Sequence, residues 1–381
     1  MPIVHNTTGV PHFCFEQAGP EGERFDVLVV RATFDFADKG EVMTLARVQQ
    51  PIAVGDAHAG RVEHDPMRAV LVEDGDLVPC KPGTDILVVG SAIAPGGKPS
   101  ATWQASLRVG NVQKTVQVHG PRKMHKRLFG WKLGPAEPVT HVPLDYRLAF
   151  GGCIDIPAEL NADGAPAYLR FAGNPAGCGW LPGPAAFKHL PKAARTHVKQ
   201  WVKRQKEIVA PQFDSVSSPF RHPTDEQPVQ GFGPIARWWE PRVSKQGTYD
   251  EHWRNVRFPL LPEDFDARYN QSAPADMICT PHLAGDEGID LVGFMPEKRE
   301  LLLPGWKLLA VVTRASGDSA ITFLVLDTVR LHLDSHQASL VWRAHFGDND
   351  PVVNIALAAT TAAIEREDAA IVANTGDGTW Q

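Results

Sequence analysis

Four groups of residues in this chain have types and spacings that invite a chemical reading. Asp250, Glu251, Glu263, Asp264 and Asp266 stand among Tyr249, Trp253, Phe258 and Phe265. Two carboxyls held at a fixed separation across a cleft, with aromatic platforms for the sugar, would cleave a glycoside. Solvated loop acids give the same pattern. His332 and His336 are four apart, and His119 and His125 six apart. The first spacing suits a metal on one helix face, but this pair falls at an expected hairpin bend, where it does not converge on one ion. Gly173, Gly177 and Gly179 form a glycine-rich loop without the preceding strand, the following helix start or the Gly-Lys-Ser/Thr ending that aims backbone donors at a phosphate. They read as turn residues needing positive φ. Lys188, Lys192, Arg195, Lys199, Lys203, Arg204 and Lys206 could neutralise phosphates, dock an acidic protein or solvate a helix. No GxSxG elbow is present, and no cysteine sits in a nucleophile motif. The expectation is therefore no catalytic residue, no metal and no cofactor.

Composition narrows the class further. The chain has 381 residues and a net charge of −6, so no global field draws it to nucleic acid or an anionic membrane. Five widely spaced cysteines without a CxxC argue against a disulfide framework and a zinc ribbon. MPIVHNTTGVPHF is not a positive region followed by an apolar one, and no apolar run reaches the ~18 residues of a membrane span. A cytoplasmic location without membrane insertion is expected.

The elements that must position these residues are mostly strands. Phe25–Phe36 opens as a continuous apolar run and then alternates, which predicts a strand passing from a buried centre to a half-exposed edge, with Arg31 and Thr33 on the outward side. Asp85–Ala94 repeats its opening, so the two strands share a sheet or mark a duplication. Trp103–His119 reads as a hairpin turning at Gly110-Asn111. That register pairs Val109 with Val112 and Ala105 with Val116, but sets Leu107 against Lys114. A basic loop or strand follows over His119–Gly130. Ala185–Val209 is the one marked helical stretch, with Val198, Trp201 and Val202 as its apolar stripe and Pro191 able to break or start it. Leu291–Pro304 predicts two short strands. Ile321–Phe346 predicts a second hairpin bending at Asp334–Gln337, and Val352–Arg366 a modest terminal helix before a loose tail.

Between Gly231 and Asp276 neither period survives. GFGPIARWWEPR and GTYDEHWRNVRFPLLPEDFD mix aromatics with prolines, which predicts an irregular ribbon pinned by aromatic anchors. In these blocks the chain resembles a bacterial family of type VI secretion-associated adaptors and chaperones, encoded beside VgrG, PAAR and toxin genes. NTTGVP, FDVLVVRATFDF, KPGTDILVVGSAIAPGG, PLDYRLAFGG and MPEKRELLLPG fit as well, so the resemblance runs in order through nearly the whole chain. Only the basic helix departs, standing where the family has a shorter connection. The resemblance implies a non-enzymatic protein that holds a cognate toxin and helps load it onto the VgrG or PAAR spike, with no catalytic assignment to carry over.

The resulting expectation is a mainly β fold. Residues 1–152 and 229–381 form two sandwich-like β-rich parts, and 153–228 a long irregular, partly helical excursion. The expected partner contacts are Arg237, Trp238, Trp239, Arg242 and Trp253 in the ribbon, with Lys199, Trp201, Lys203 and Arg204 in the helix. A carbohydrate-binding or glycoside-cleaving protein is the alternative, and nucleic acid binding through the helix a third reading.

Overall fold

Gly110, at φ +54°, and Asn111 close the first hairpin. Its register pairs Val109 with Val112, Ala105 with Val116 and Leu107 with Lys114, as the alternation requires. The structure is a computed structural model, and it describes residues 1–19, 21–37, 40–59, 66–161, 167–347 and 350–361. The fold is mainly β, built as several sheets. No helix among the described residues is long and apolar enough to cross a membrane.

A seven-stranded sheet organises the rest. In order lie His12–Ala18, Arg24–Asp35, Gln337–Gly347, Val325–His332, Thr84–Val89 and Ile278–Cys279, with Thr44–Leu45 paired to Arg24–Asp35. The two strands with similar openings share this sheet, separated by two others. Strands from residues 1–152 and from 229–381 are thus neighbours in one sheet. Its apolar face carries Leu28, Val30, Ala32, Phe34, Leu340, Trp342, Ile86 and Val88, all buried. Across this core stand a five-stranded sheet containing the first hairpin and a four-stranded sheet ordered Ile3–Asn6, Val352–Thr361, Trp306–Arg314, Ser319–Phe323. Phe34 meets Trp306 edge to face at 5.2 Å.

The second face of the large sheet corrects the expectation for Phe25–Phe36. The alternation sets Arg31 and Thr33 outward, yet both are buried. They belong to a layer of charge that also takes in Arg330, Arg343, Thr328, His332 and Asp85 from neighbouring strands. The described parts of the chain between Ala46 and Lys81, residues 46–59 and 66–81, fold over this face. They bring Glu73, Asp74, Asp76 and Lys81 to meet that layer. Lys81 Nζ donates to Asp74 at 3.1 Å, Asp85 at 2.8 Å and Thr328 at 2.9 Å. Glu73 lies 2.7 Å from Arg31 and 3.0 Å from Arg330. Arg330 also pairs with Asp74, and Arg343 with Asp327.

Three further expectations are revised. The helix expected over 352–366 is, as far as residue 361, the strand Val352–Thr361, parallel to Ile3–Asn6 and antiparallel to Trp306–Arg314. Alanine's helical preference is worth only a few tenths of a kcal/mol per residue, and two flanking strands outweigh it. The rest of that stretch and the tail lie outside the described residues. The hairpin expected from Ile321 begins instead at Val325, because the chain changes sheets at Leu324. The basic helix is shorter than expected. It spans Lys192–Arg204, starts directly after Pro191, and is followed by the strand Glu207–Val209. Val198, with Trp201 and Val202 beside it, packs on a separate small cluster with Ile154, Ile156 and Phe187.

Two measurements probe the charged layer. Lys81→Met leaves Asp74 and Asp85 buried without their shared cation, and should lower stability by about 3–5 kcal/mol in urea unfolding. His332 titrates differently in the two states. Burial, then Arg330 and Arg31, pull its imidazole from 6.5 down to about 4. The unfolded chain therefore binds the proton more readily. Its contribution is complete above pH 6.5 and is lost as pH falls toward 4. His332→Gln should flatten the stability profile across that window by up to about 3 kcal/mol.

Candidate functional site

The ribbon runs as irregular backbone with short turns, and its first half is held by specific bonds. Phe232, 1% exposed, meets Phe294 edge to face, and its carbonyl accepts from the Val88 N–H at 2.9 Å. The Tyr146 hydroxyl donates to the Gly233 carbonyl at 3.0 Å, while its ring stands edge-on to Trp239. Gly231 is required beside it, since a Cβ there would sit 2.5 Å from the Tyr146 ring. Lys114, the mismatch in the hairpin register, reaches this ribbon. Its ammonium lies 2.8 Å from Asp276 and 5.7 Å from the centroid of Phe232. Burial pulls the Lys114 ammonium down from its usual range, and Asp276 works against that.

Four of the expected contact residues are thereby drawn inward. Trp239 is fully buried and donates from Nε1 to the Met67 carbonyl at 2.6 Å. Arg242 is buried and donates to the carbonyls of Ile235 at 2.6 Å and Tyr269 at 3.0 Å. Arg237 pairs with Asp56 at 2.8 Å, and Trp238 stacks on His58 at 5.0 Å. These side chains fasten the ribbon to the body. Trp253 is separate, in a turn where it meets Tyr249 and Phe258 and donates to the Leu260 carbonyl. Lys199, Lys203 and Arg204 are exposed on the helix, while Trp201 is half-buried against its small cluster.

Three of the five clustered acids make local structural bonds, and Asp250, Glu263 and Asp264 line a shallow recess with Trp253. Asp250 accepts the Trp253 N–H at 2.8 Å, Asp264 accepts from the backbone and hydroxyl of Thr248, and Asp266 caps the turn at Arg268. Those bonds, led by the Thr248 hydroxyl, hold the Asp264 carboxyl below its usual range. Asn174, inside the glycine loop, donates to the carbonyls of Tyr146 and Phe150, and Gly151 approaches its backbone too closely for any side chain. The four histidines meet different neighbours: Asp214 for His119, Glu207 for His125, Ser339 for His332 and the Phe36 ring for His336.

The edge of the four-stranded sheet adds a feature that no motif announces. Ser319–Phe323 ends that sheet. The Leu324 N–H donates to the Leu308 carbonyl at 2.8 Å, which fixes even-numbered residues as the inward-bonding set. The N–H and C=O groups of Ser319, Ile321 and Phe323 therefore face the outer edge, which no strand among the described residues covers. Ile321 and Phe323 are 60% and 49% exposed. Where the chain crosses to the large sheet, a recess of about 330 Å³ opens, lined by Leu283, Trp306, Lys307, Phe323, Val325 and Trp342. From Ser319 to Leu326 there is no charged residue and no proline. Sheets normally blunt an edge with lysine, proline or a bulge; this strand carries neither charge nor proline, and Lys307 of the neighbouring strand stands in the wall of the largely apolar recess. The absence of charge over eight residues is legible in the sequence, but that the strand lies outermost is not.

Nothing among curated proteins and nothing among solved structures matches the chain. Residues 21–343 match one family, described as an uncharacterized protein conserved in bacteria. That span holds the large sheet from Arg24 as far as Arg343, the ribbon and the edge strand. The chain belongs to this bacterial family, DUF2169.

Proposed function

We propose that the protein is a non-enzymatic adaptor and chaperone that holds an extended apolar segment of a cognate type VI secretion toxin and presents it to a VgrG or PAAR spike component in the cytoplasm. One observation carries the client-binding half of this reading: an uncharged strand edge, uncovered among the described residues, beside a largely apolar recess. Main-chain groups of Ser319, Ile321 and Phe323 would give affinity by strand addition, and the recess at Trp306 and Phe323 would accept one side chain of the client. Such an edge binds backbone, so it tolerates varied client sequences while the recess selects among them. The toxin and spike assignments rest on the sequence motifs quoted above. Trp239 and Arg242 act through this reading only by fixing the ribbon. Trp253 and the exposed helix cations remain open to contact.

The test is co-expression with a toxin encoded beside the gene, measuring its soluble yield and its retention on the tagged protein. Ile321→Lys with Phe323→Lys places charge on the edge as natural sheets do. Retained toxin should fall about tenfold or more while the melting temperature is unchanged. Equal retention by the variant sinks the edge as the client site, and a toxin equally soluble without the protein sinks the chaperone.

A further inference from the structure

The hairpin formed by Lys123–Arg127 and Gly130–Leu133 turns at Leu128 and Phe129. These two side chains are 89% and 96% exposed. Arg127 pairs across from Gly130, whose φ of +120° lets the chain resume without a side-chain penalty. Turn positions favour Gly, Asn, Asp, Pro and Ser, for reasons of backbone geometry and local hydrogen bonding. Leu and Phe supply neither, and at this exposure they bury nothing. The fold has no use for apolar side chains at this tip.

Cations frame it. Residues 121–136 hold Arg122, Lys123, Lys126, Arg127 and Lys132 with no acid, and residues 188–206 hold seven Lys or Arg with no acid. Arg122 and Lys123 are taken up by Asp214 and Glu207. Lys126, Arg127, Lys132, Lys203, Arg204 and Lys206 are exposed. The helix end and the hairpin are joined: the Lys126 N–H donates to the Lys206 carbonyl at 2.8 Å, and Lys126 Nζ to the Lys203 carbonyl at 3.2 Å. The cations of the last helical turn therefore flank the strand leading into the Leu128-Phe129 turn. This concentration of positive charge stands on a chain whose net charge is −6.

We propose that this basic hairpin with its apolar tip is a docking surface for an anionic lipid bilayer, held at the membrane surface without spanning it. Leu128 and Phe129 would enter the headgroup boundary while the surrounding cations meet lipid phosphates. Four of the six exposed cations are lysines. Lysine is depleted at protein–protein interfaces, where arginine and aromatics carry recognition, but serves well as a point charge against a diffuse anionic layer. A single-stranded nucleic acid would need a basic groove lined with stacking rings, and this surface is a projecting turn. The proposal does not depend on the adaptor reading, since it uses a different sheet and no part of the Ser319–Phe323 edge.

The experiment is sedimentation of the full chain with vesicles of phosphatidylcholine alone and of phosphatidylcholine mixed with phosphatidylglycerol. The protein should bind the mixed vesicles and not the neutral ones, and added salt should weaken binding. Leu128→Ser with Phe129→Ser should reduce binding about tenfold or more. Lys203→Glu with Arg204→Glu, a second variant on a separate exposed element, should reduce it similarly and make the remainder less salt-sensitive. Circular dichroism would confirm that each variant is folded. No binding to the mixed vesicles, equal binding to neutral ones, or unchanged binding by both folded variants would overturn the proposal. So would a shift of single-stranded DNA at the same salt without vesicle binding.

Discussion

The charged layer under the large sheet is the constraint on which the remaining architecture rests. A sheet with one apolar face would leave the other to water. Here the second face is filled with Arg31, Arg330 and Arg343, so whatever covers it must bring carboxylates. The Ala46–Lys81 stretch does so with Glu73, Asp74 and Asp76, and adds Lys81 to answer Asp85. Burial alone would raise the Asp74 carboxyl, yet Lys81 and Arg330 outweigh it and hold the group ionised. Apolar contacts tolerate sliding, whereas these pairs do not. A register shift of one residue would turn the arginines into the core and separate them from their partners. The ribbon enters the same network, because the Ser272 N–H donates to Asp85 at 2.8 Å.

Lys114 does for the five-stranded sheet what Lys81 does for the larger one. An alternating hairpin places a lysine opposite a leucine, and the fold resolves the conflict by bringing the ribbon to it. Asp276 supplies the counter-charge and Phe232 an aromatic face. The ribbon is held without a regular hydrogen-bond ladder, by side-chain bonds that run in both directions. The Tyr146 hydroxyl donates to the ribbon's Gly233 carbonyl, and the ribbon's own Asn270 amide donates to the Cys80 carbonyl.

What the sequence discloses follows from how local each signal is. The Gly110-Asn111 turn fixes its register within a few residues, so the alternation on either side is enough to write the pairing down. The irregular ribbon is legible from its prolines. Phe25–Phe36 misleads on one face, because an arginine looks solvent-facing unless its acidic partners, some 45 residues away for Asp76, are known. Val352–Thr361 misleads because alanine speaks for a helix locally while its strand partners lie elsewhere in the chain. The candidate site behaves in the same way. Trp238 and Trp239 draw notice as large aromatics, though Trp239 is core and Trp238 packs on His58. The edge at Ile321 is hidden because edge status belongs to the whole sheet and not to the strand.

Gln337 pairs with Asp35 across a separation of 302 residues, and that distance sets a schedule for biosynthesis. Translation at about 5–20 residues per second leaves the Arg24–Asp35 strand waiting about 15–60 seconds for its neighbour to emerge. Over that interval the nascent chain carries acids whose partner Arg330 is still missing, and an apolar strand paired to His12–Ala18 on one side with its other neighbour absent. A chain so ordered folds late and all at once, with its sheet centre closed by nearly its last strands. Ribosome-bound fragments that stop short of Gln337 would thus be substrates for the cell's own holding chaperones, rather than early versions of the folded protein.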